Sequence, residues 1–146
     1  MNQKTTDELL LVLNQIDREK ELFEYTENTA DMPHLTFAEY FSSLEKVKRM
    51  QKSELIRRSG LERTYGYQLL RGTRNPRRDN AVLLCRTAEL DLTETQRLLE
   101  VTNLGILYSR NRRDAILIFC FNQNLPVSDM EELLDRMGEE TLQKNA

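Results

Sequence analysis

The sequence predicts an all-α fold, and three observations carry that prediction. Apolar residues recur three and four positions apart along most of the chain, the period of one helix face. The 146 residues include only three Pro and five Gly, and no alternating stretch of useful strand length stands out. Thr5/Glu8, Thr36/Glu39, Thr93/Gln96 and Ser128/Glu131 are pairs spaced as capping boxes, which mark helix starts.

Behind Thr5 and Glu8, the residues Leu9, Leu10, Leu13, Ile16 and Phe23 recur at helical spacing and predict an N-terminal helix. Residues 26–35, TENTADMPHL, are polar with a proline and predict a linker. Thr36 and Glu39 open an amphipathic helix in which Phe37, Tyr40, Phe41, Leu44 and Val47 follow the i, i+3, i+4, i+7 rule. A short helix over 51–59 stops at Gly60, a second over 62–71 stops at Gly72, and TRNP (73–76) is a loop. RDNAVLLCRTAEL (78–90) is a strongly apolar helix, and Thr93 with Gln96 caps another that ends near Asn103 and Gly105. RDAILIFCFNQN (113–124) is apolar almost all round, which predicts burial on most sides. Ser128 with Glu131 caps a last helix, and Gly138 closes it as the left-handed residue beyond its end.

Composition excludes several classes. A hydrophobic fraction of 39% supports a real core, and the length suits one domain with additions. No run of 18 apolar residues is present, so no membrane span is expected. The N-terminus, MNQKTTDELL, lacks a basic stretch followed by an apolar one, so no secretory signal is expected and the chain is placed in the cytoplasm. Cys85 and Cys120 lie inside apolar helical patterns and predict two buried, reduced thiols. The only histidine, His34, falls in the linker, so no zinc site can be assembled and neither metal nor cofactor is expected. Glu131, Glu132, Asp135, Glu139 and Glu140 suit a solvated helix face. With no glycine-rich phosphate loop, nucleophile elbow or Cys–His pair, the chain is expected not to be an enzyme.

The net charge of −3 is unevenly spread. Residues 46–78 hold eleven Lys or Arg and two Glu, a net of +9, whereas 1–45 carry −7 and 79–146 carry −5. A concentrated basic block is a local field that steers polyanions, unless its acidic neighbours neutralise it. Within the block, KSELIRRSGLERTYGYQLLRG has the plan of a helix, a turn containing Gly60, and a second short helix. Leu55, Leu61 and Leu69 are its expected buried anchors. Gly66 is unexpected, because a glycine inside a helix costs about 1 kcal/mol relative to alanine.

Residues 36–103 resemble the five-helix lambda repressor and Cro-like, or XRE-type, DNA-binding domain. SELIRRSGLERTYGYQLLRGTRNP matches that family's motif in register from Leu55 through Gly60 to Gly72 and on to RNP at 74–76, and DNAVLLCRTAELDLT is similar to its fourth helix and the approach to its fifth. The whole chain also resembles an unassigned XRE-type subgroup with an RTYGYQ element and a later NRRDA helix. The resemblance implies double-stranded DNA as partner, with the second motif helix in the major groove. Carried over by register, the base-reading residues are Arg63, Thr64, Tyr67 and Gln68. Arg suits guanine, Gln suits adenine, and Thr offers a methyl and a hydroxyl. The phosphate-binding residues are Lys52, Arg71, Thr73, Arg74, Asn75, Arg77 and Arg78. Tyr65 is expected to turn toward the partly buried side.

The resemblance also bears on Gly66. The family usually has Ile or Val there, packed on a small Ala in the first motif helix, but that Ala position is Ile56 here. The expected answer is that Gly66 is the hole that receives Ile56; the rival is close approach of the backbone to DNA. Three further departures are Lys52 in place of a frequent Gln, Leu70 in place of a frequent Glu, and Glu62, whose charge suits the helix start but repels phosphate.

The resulting division is an acidic N-terminal helix and linker (1–35), a helix-turn-helix domain (36–105) and a C-terminal helical pair (106–146). The first segment has three open roles: packing on the body, dimer formation, or binding a regulatory partner. For the apolar run AILIFCF, 115–121, core packing and a two-fold homodimer contact both remain. The alternative to a DNA-binding regulator is a helical adaptor that presents the basic face to an acidic protein partner.

Overall fold

Helices are the only regular elements among the described residues, 6–14, 19 and 35–143, of the computed structural model. None of these helices is long and apolar enough to cross a membrane. The chain divides into two units, residues 1–34 and 35–146.

In the first unit, α1 spans Thr6–Asn14, with Asp7 and Glu8 in its first turn, where negative charge suits the helix dipole. Leu10, Leu11 and Leu13 stand exposed on it. Thr5 of the expected capping box, Ile16, Phe23 and linker residues 26–34 lie outside the described residues.

The second unit contains α2 (Phe37–Ser43), α3 (Glu45–Lys48), α4 (Lys52–Ser59), α5 (Arg63–Arg71), α6 (Arg78–Thr87), α7 (Leu92–Val101), α8 (Arg112–Asn122) and α9 (Val127–Arg136). The single helix expected over 36–47 is two, because Leu44 adopts an extended conformation at φ −77°, ψ 136°. Phe37, Phe41 and Val47 still all reach the core. Thr36 does cap α2, its Oγ1 accepting the Glu39 N–H at 3.2 Å, but its own hydroxyl donates to the Glu39 carboxylate, so the box is not reciprocal.

Two expected caps fall elsewhere. Asp91, not Thr93, starts α7: Asp91 Oδ1 accepts the Glu94 N–H at 2.8 Å while Glu94 Oε1 accepts the Asp91 N–H at 2.9 Å. Gln96 instead clamps Leu107, donating to its carbonyl at 2.8 Å and accepting its N–H at 2.7 Å. Ser128 lies inside α9, which starts after Pro126 without a side-chain cap. Its intended partner Glu131 accepts the N–H groups of Leu142 and Gln143. Gly138 does close α9 at φ +76°, with the Glu139 N–H bonded back to the Leu134 carbonyl. Helix α8 is less enclosed than its composition suggested. Ile116, Leu117, Cys120 and Phe121 are buried, but Phe119 is 50% exposed.

One apolar cluster runs through the second unit, from Phe41, Leu55 and Leu69 through Leu83, Leu84 and Leu98 to Leu117, Met130 and Leu134. Helices α8 and α9 therefore share their core with the helices before them. A crossed pair of ionic clamps reinforces the junction. Arg78 holds Asp114 through two bonds of 2.7 and 2.9 Å, and Arg113 holds Asp79 through two of 2.9 and 3.0 Å. Both carboxylates are nearly buried, and Asp114 also accepts the Tyr108 N–H. Both thiols are buried and unbridged. Burial pushes them up from their ordinary range, Cys120 to about 11.

The Gly66 question has a geometric answer. A Cβ placed on Gly66 would lie 3.0 Å from Ile56 Cγ2 and 3.2 Å from Cγ1. Ile56, itself buried, fills the space that a side chain at 66 would need.

Two stability predictions follow from these contacts. Gly66→Ile should cost about 1–3 kcal/mol by overpacking, and Ile56→Ala about 2–5 kcal/mol by leaving a cavity. The double variant should recover about 1–3 kcal/mol relative to the sum, as measured by denaturant unfolding of all four proteins; additive losses would mean the side chains do not meet. Asp114→Ala should cost about 3–5 kcal/mol, since it strands the Arg78 guanidinium; a change below 1 kcal/mol in urea unfolding would show that the clamp contributes little.

Candidate nucleic-acid interface

The surface is built from the turn between α4 and α5. Gly60 ends α4 at φ +75°, a conformation open to glycine at no steric cost, and a Cβ there would also strike the Gln143 amide. Ser59 is buried beneath it. Its hydroxyl donates to the Ile56 carbonyl at 2.7 Å and accepts the Leu61 N–H at 3.2 Å. Gln143 seals the turn by donating to the Ser59 carbonyl at 3.0 Å.

Glu62 then caps α5. One carboxylate oxygen accepts the Thr64 N–H at 3.0 Å and the other the Tyr65 N–H at 2.8 Å. These bonds hold the Glu62 carboxyl below its ordinary range. Amides that could meet a phosphate at this helix start are thus occupied by the chain's own carboxylate.

Helix α5 has two unlike faces. Gly66, Leu69 and Leu70 are buried. Leu70 serves as core. On the outer side Arg63, Thr64, Tyr67, Gln68 and Arg71 line one open depression. The four expected base readers are therefore together, with Arg71 beside them. The Tyr67 ring lies between two guanidinium groups, Arg63 at 5.9 Å and Arg71 at 5.3 Å from its centroid. Such contacts order long side chains at a gain of about 0.5–1 kcal/mol each when exposed.

Tyr65 turns the other way, as expected. Its hydroxyl accepts from Asn80 Nδ2 at 2.7 Å, and Arg74 sits over its ring at 5.3 Å. Gly72 ends α5 at φ +85°, and the N–H groups of Thr73 and Arg74 fold back onto the Gln68 carbonyl. Pro76 is buried, while Thr73, Arg74, Asn75 and Arg77 are exposed.

Ion pairing sorts the eleven cations of the basic block. Lys46 pairs with Glu94 at 2.6 Å, Lys48 lies 4.0 Å from Glu45, Arg57 and Arg58 share Glu54, and Arg78 pairs with Asp114. No ion pair forms among the described residues for Arg49, Lys52, Arg63, Arg71, Arg74 or Arg77, and all six are exposed. Arg78 does not fit the phosphate role expected for it: its fork is committed to Asp114 and the Ile106 carbonyl. Arg49 was missed. Its charge was visible in the sequence, but its lack of an ion pair among the described residues was not.

No protein family, curated protein or solved structure compared with the chain matches it.

The Glu62 cap carries a pH dependence. Its folded pKa lies below the ordinary 4.5, so its stabilisation is present above the unfolded pKa and is lost as pH falls through the folded one. An NMR titration should give a Glu62 carboxyl midpoint below 4.5, with the Thr64 and Tyr65 amides shifting at that same midpoint. A midpoint at or above 4.5, or amides that ignore it, would contradict the cap.

Proposed function

We propose that the chain is a sequence-specific, double-stranded DNA-binding transcriptional regulator of the lambda repressor-like, XRE-type helix-turn-helix class. In this reading residues 36–103 form the family's five-helix domain with its first helix split into α2 and α3, α4 and α5 are the motif, and α5 enters the major groove. The chain binds rather than catalyses, and it acts in the cytoplasm. The observation that carries the proposal is the convergence on one face of Arg63, Thr64, Tyr67, Gln68 and Arg71, flanked by exposed cations without ion-pair partners among the described residues.

Each group has a distinct task. Arg63 reads guanine and Gln68 reads adenine by paired hydrogen bonds, while Thr64 and Tyr67 contact base edges and methyl groups. The stacked Tyr67 ring holds Arg63 and Arg71 outward. Lys52, Arg71, Thr73, Arg74, Asn75 and Arg77, with Arg49, follow the phosphate backbone. Those contacts set register and affinity but not sequence. Because Glu62 occupies the first amides of α5, phosphate anchoring falls to side chains. A homodimer through the C-terminal pair would place two copies of α5 on half-sites about one DNA turn apart. The net charge of −3 favours the second reading, an adaptor that offers the same basic face to an acidic protein.

Binding to DNA from the chain's own upstream region, measured by gel shift over a salt series, separates the two readings. With roughly four to six phosphates neutralised, log affinity should fall against log salt with a slope of about −4 to −5; a flat dependence would favour the adaptor. Arg63→Ala or Gln68→Ala should cost about 1–3 kcal/mol and relax preference at one base position. Lys52→Ala or Arg74→Ala should weaken all sequences alike. Unchanged preference in both reader variants would overturn the assignment of the face.

A further inference from the structure

Arg86 near the end of α6 is 6% exposed. Its Nε and Nη1 are sealed inside the protein with no hydrogen-bond partner. No carboxylate among the described residues lies at ion-pair distance from it; its close companion is the Phe121 ring, 5.3 Å from the guanidinium carbon. Burying a charge without a partner is expensive, and an arginine cannot shed its proton to escape the cost. Burial pushes its pKa down, opposed at longer range by Glu89 and Asp91.

Arg86 forms part of the wall of a half-open cavity of about 320 Å³. Thr87, Glu89, Arg58 from α4, Asn124 and the start of α9 at Pro126–Ser128 complete its lining. Helix α9 has ten residues and no side-chain cap, so its first amides are open to an anion. Arg86, Arg58 and an uncapped helix start thus line one space.

We propose that this cavity binds a small oxyanion ligand, a carboxylate or a phosphate, held between Arg86 and the first turn of α9. The planar guanidinium supplies directional donors to such a group, and Arg58 adds charge at the entrance. Glu89 repels a second negative charge on its side, so the oxyanion group sits toward Arg86 and Ser128. This site is independent of the DNA face on α5.

The test is thermal unfolding of the full chain titrated with inorganic phosphate or with acetate, ionic strength being held constant with sodium chloride. Tm should rise saturably with at least one of the two. Saturation by phosphate alone assigns a phosphate ester as the ligand, and by acetate alone a carboxylate. Arg86→Met keeps the length and removes the charge; it should abolish the response while unfolding no lower than wild type in anion-free buffer. Arg58→Ala, an exposed position, should weaken binding several-fold. In the wild type, the amides of residues 127–129 should shift in NMR along the same saturation curve, which keeps the test open if Arg86→Met does not fold. A Tm response to both anions no larger than that to chloride overturns the site. So does an equal response in folded Arg86→Met, or anion-dependent shifts that spare these groups.

Discussion

The placement of α5 depends on one contact, Ile56 against the bare backbone of Gly66. At 3.0 Å from a would-be Cβ, no side chain fits there without displacing Ile56. The helix gives up about 1 kcal/mol of propensity at Gly66, and burial of an isoleucine returns roughly 1.5–3 kcal/mol. A second close approach fixes the other end of α5, where a Cβ on Gly72 would lie 3.1 Å from Ala38 Cβ. With its inner side seated at these two points and by Leu69 and Leu70, the helix has one rotation left to it. Arg63, Thr64, Tyr67, Gln68 and Arg71 face outward as a consequence of that packing.

The junction of that body with α8 and α9 is held by charge as well as by the shared apolar core. Arg78 and Asp79 at the start of α6 exchange partners with Arg113 and Asp114 at the start of α8. Each carboxylate is nearly buried and meets a forked cation, the geometry in which attraction offsets desolvation best. The clamp ties the C-terminal helices to the rest and removes Arg78 from the charged surface.

Cations in this chain therefore occupy three physical situations. Some are paired with neighbours, as Arg57 and Arg58 are with the one Glu54 they share, which leaves a net positive charge. Six around α4, α5 and the following loop stay exposed without ion pairs among the described residues, and their field is directed outward. Arg86 is buried, with no hydrogen-bond partner for its Nε or Nη1 among the described residues. Exposed charges without partners suit a polyanion, whereas a buried one suits a small anion that can enter the cavity.

Much of the fold was legible in the sequence. Helical periodicity with few prolines determined the all-α class, and glycines 60, 72 and 138 marked helix ends because left-handed backbone favours them. The outward set on α5 was also legible, since residues at 63, 64, 67, 68 and 71 share one helical face whatever packs behind it. The seating of Ile56 against Gly66 was expected too, but through the family resemblance and not from periodicity. Only the tertiary structure decided what depends on distant partners. The break at Leu44, the half-exposed Phe119 and the caps taken by Asp91 and lost by Ser128 are examples. So are the commitment of Arg78 to a residue 36 positions away and the isolation of Arg86. The physical reason is common to all of them. Periodicity and turn chemistry act within one or two helical turns, whereas pairing of charges and burial are set by which helices meet.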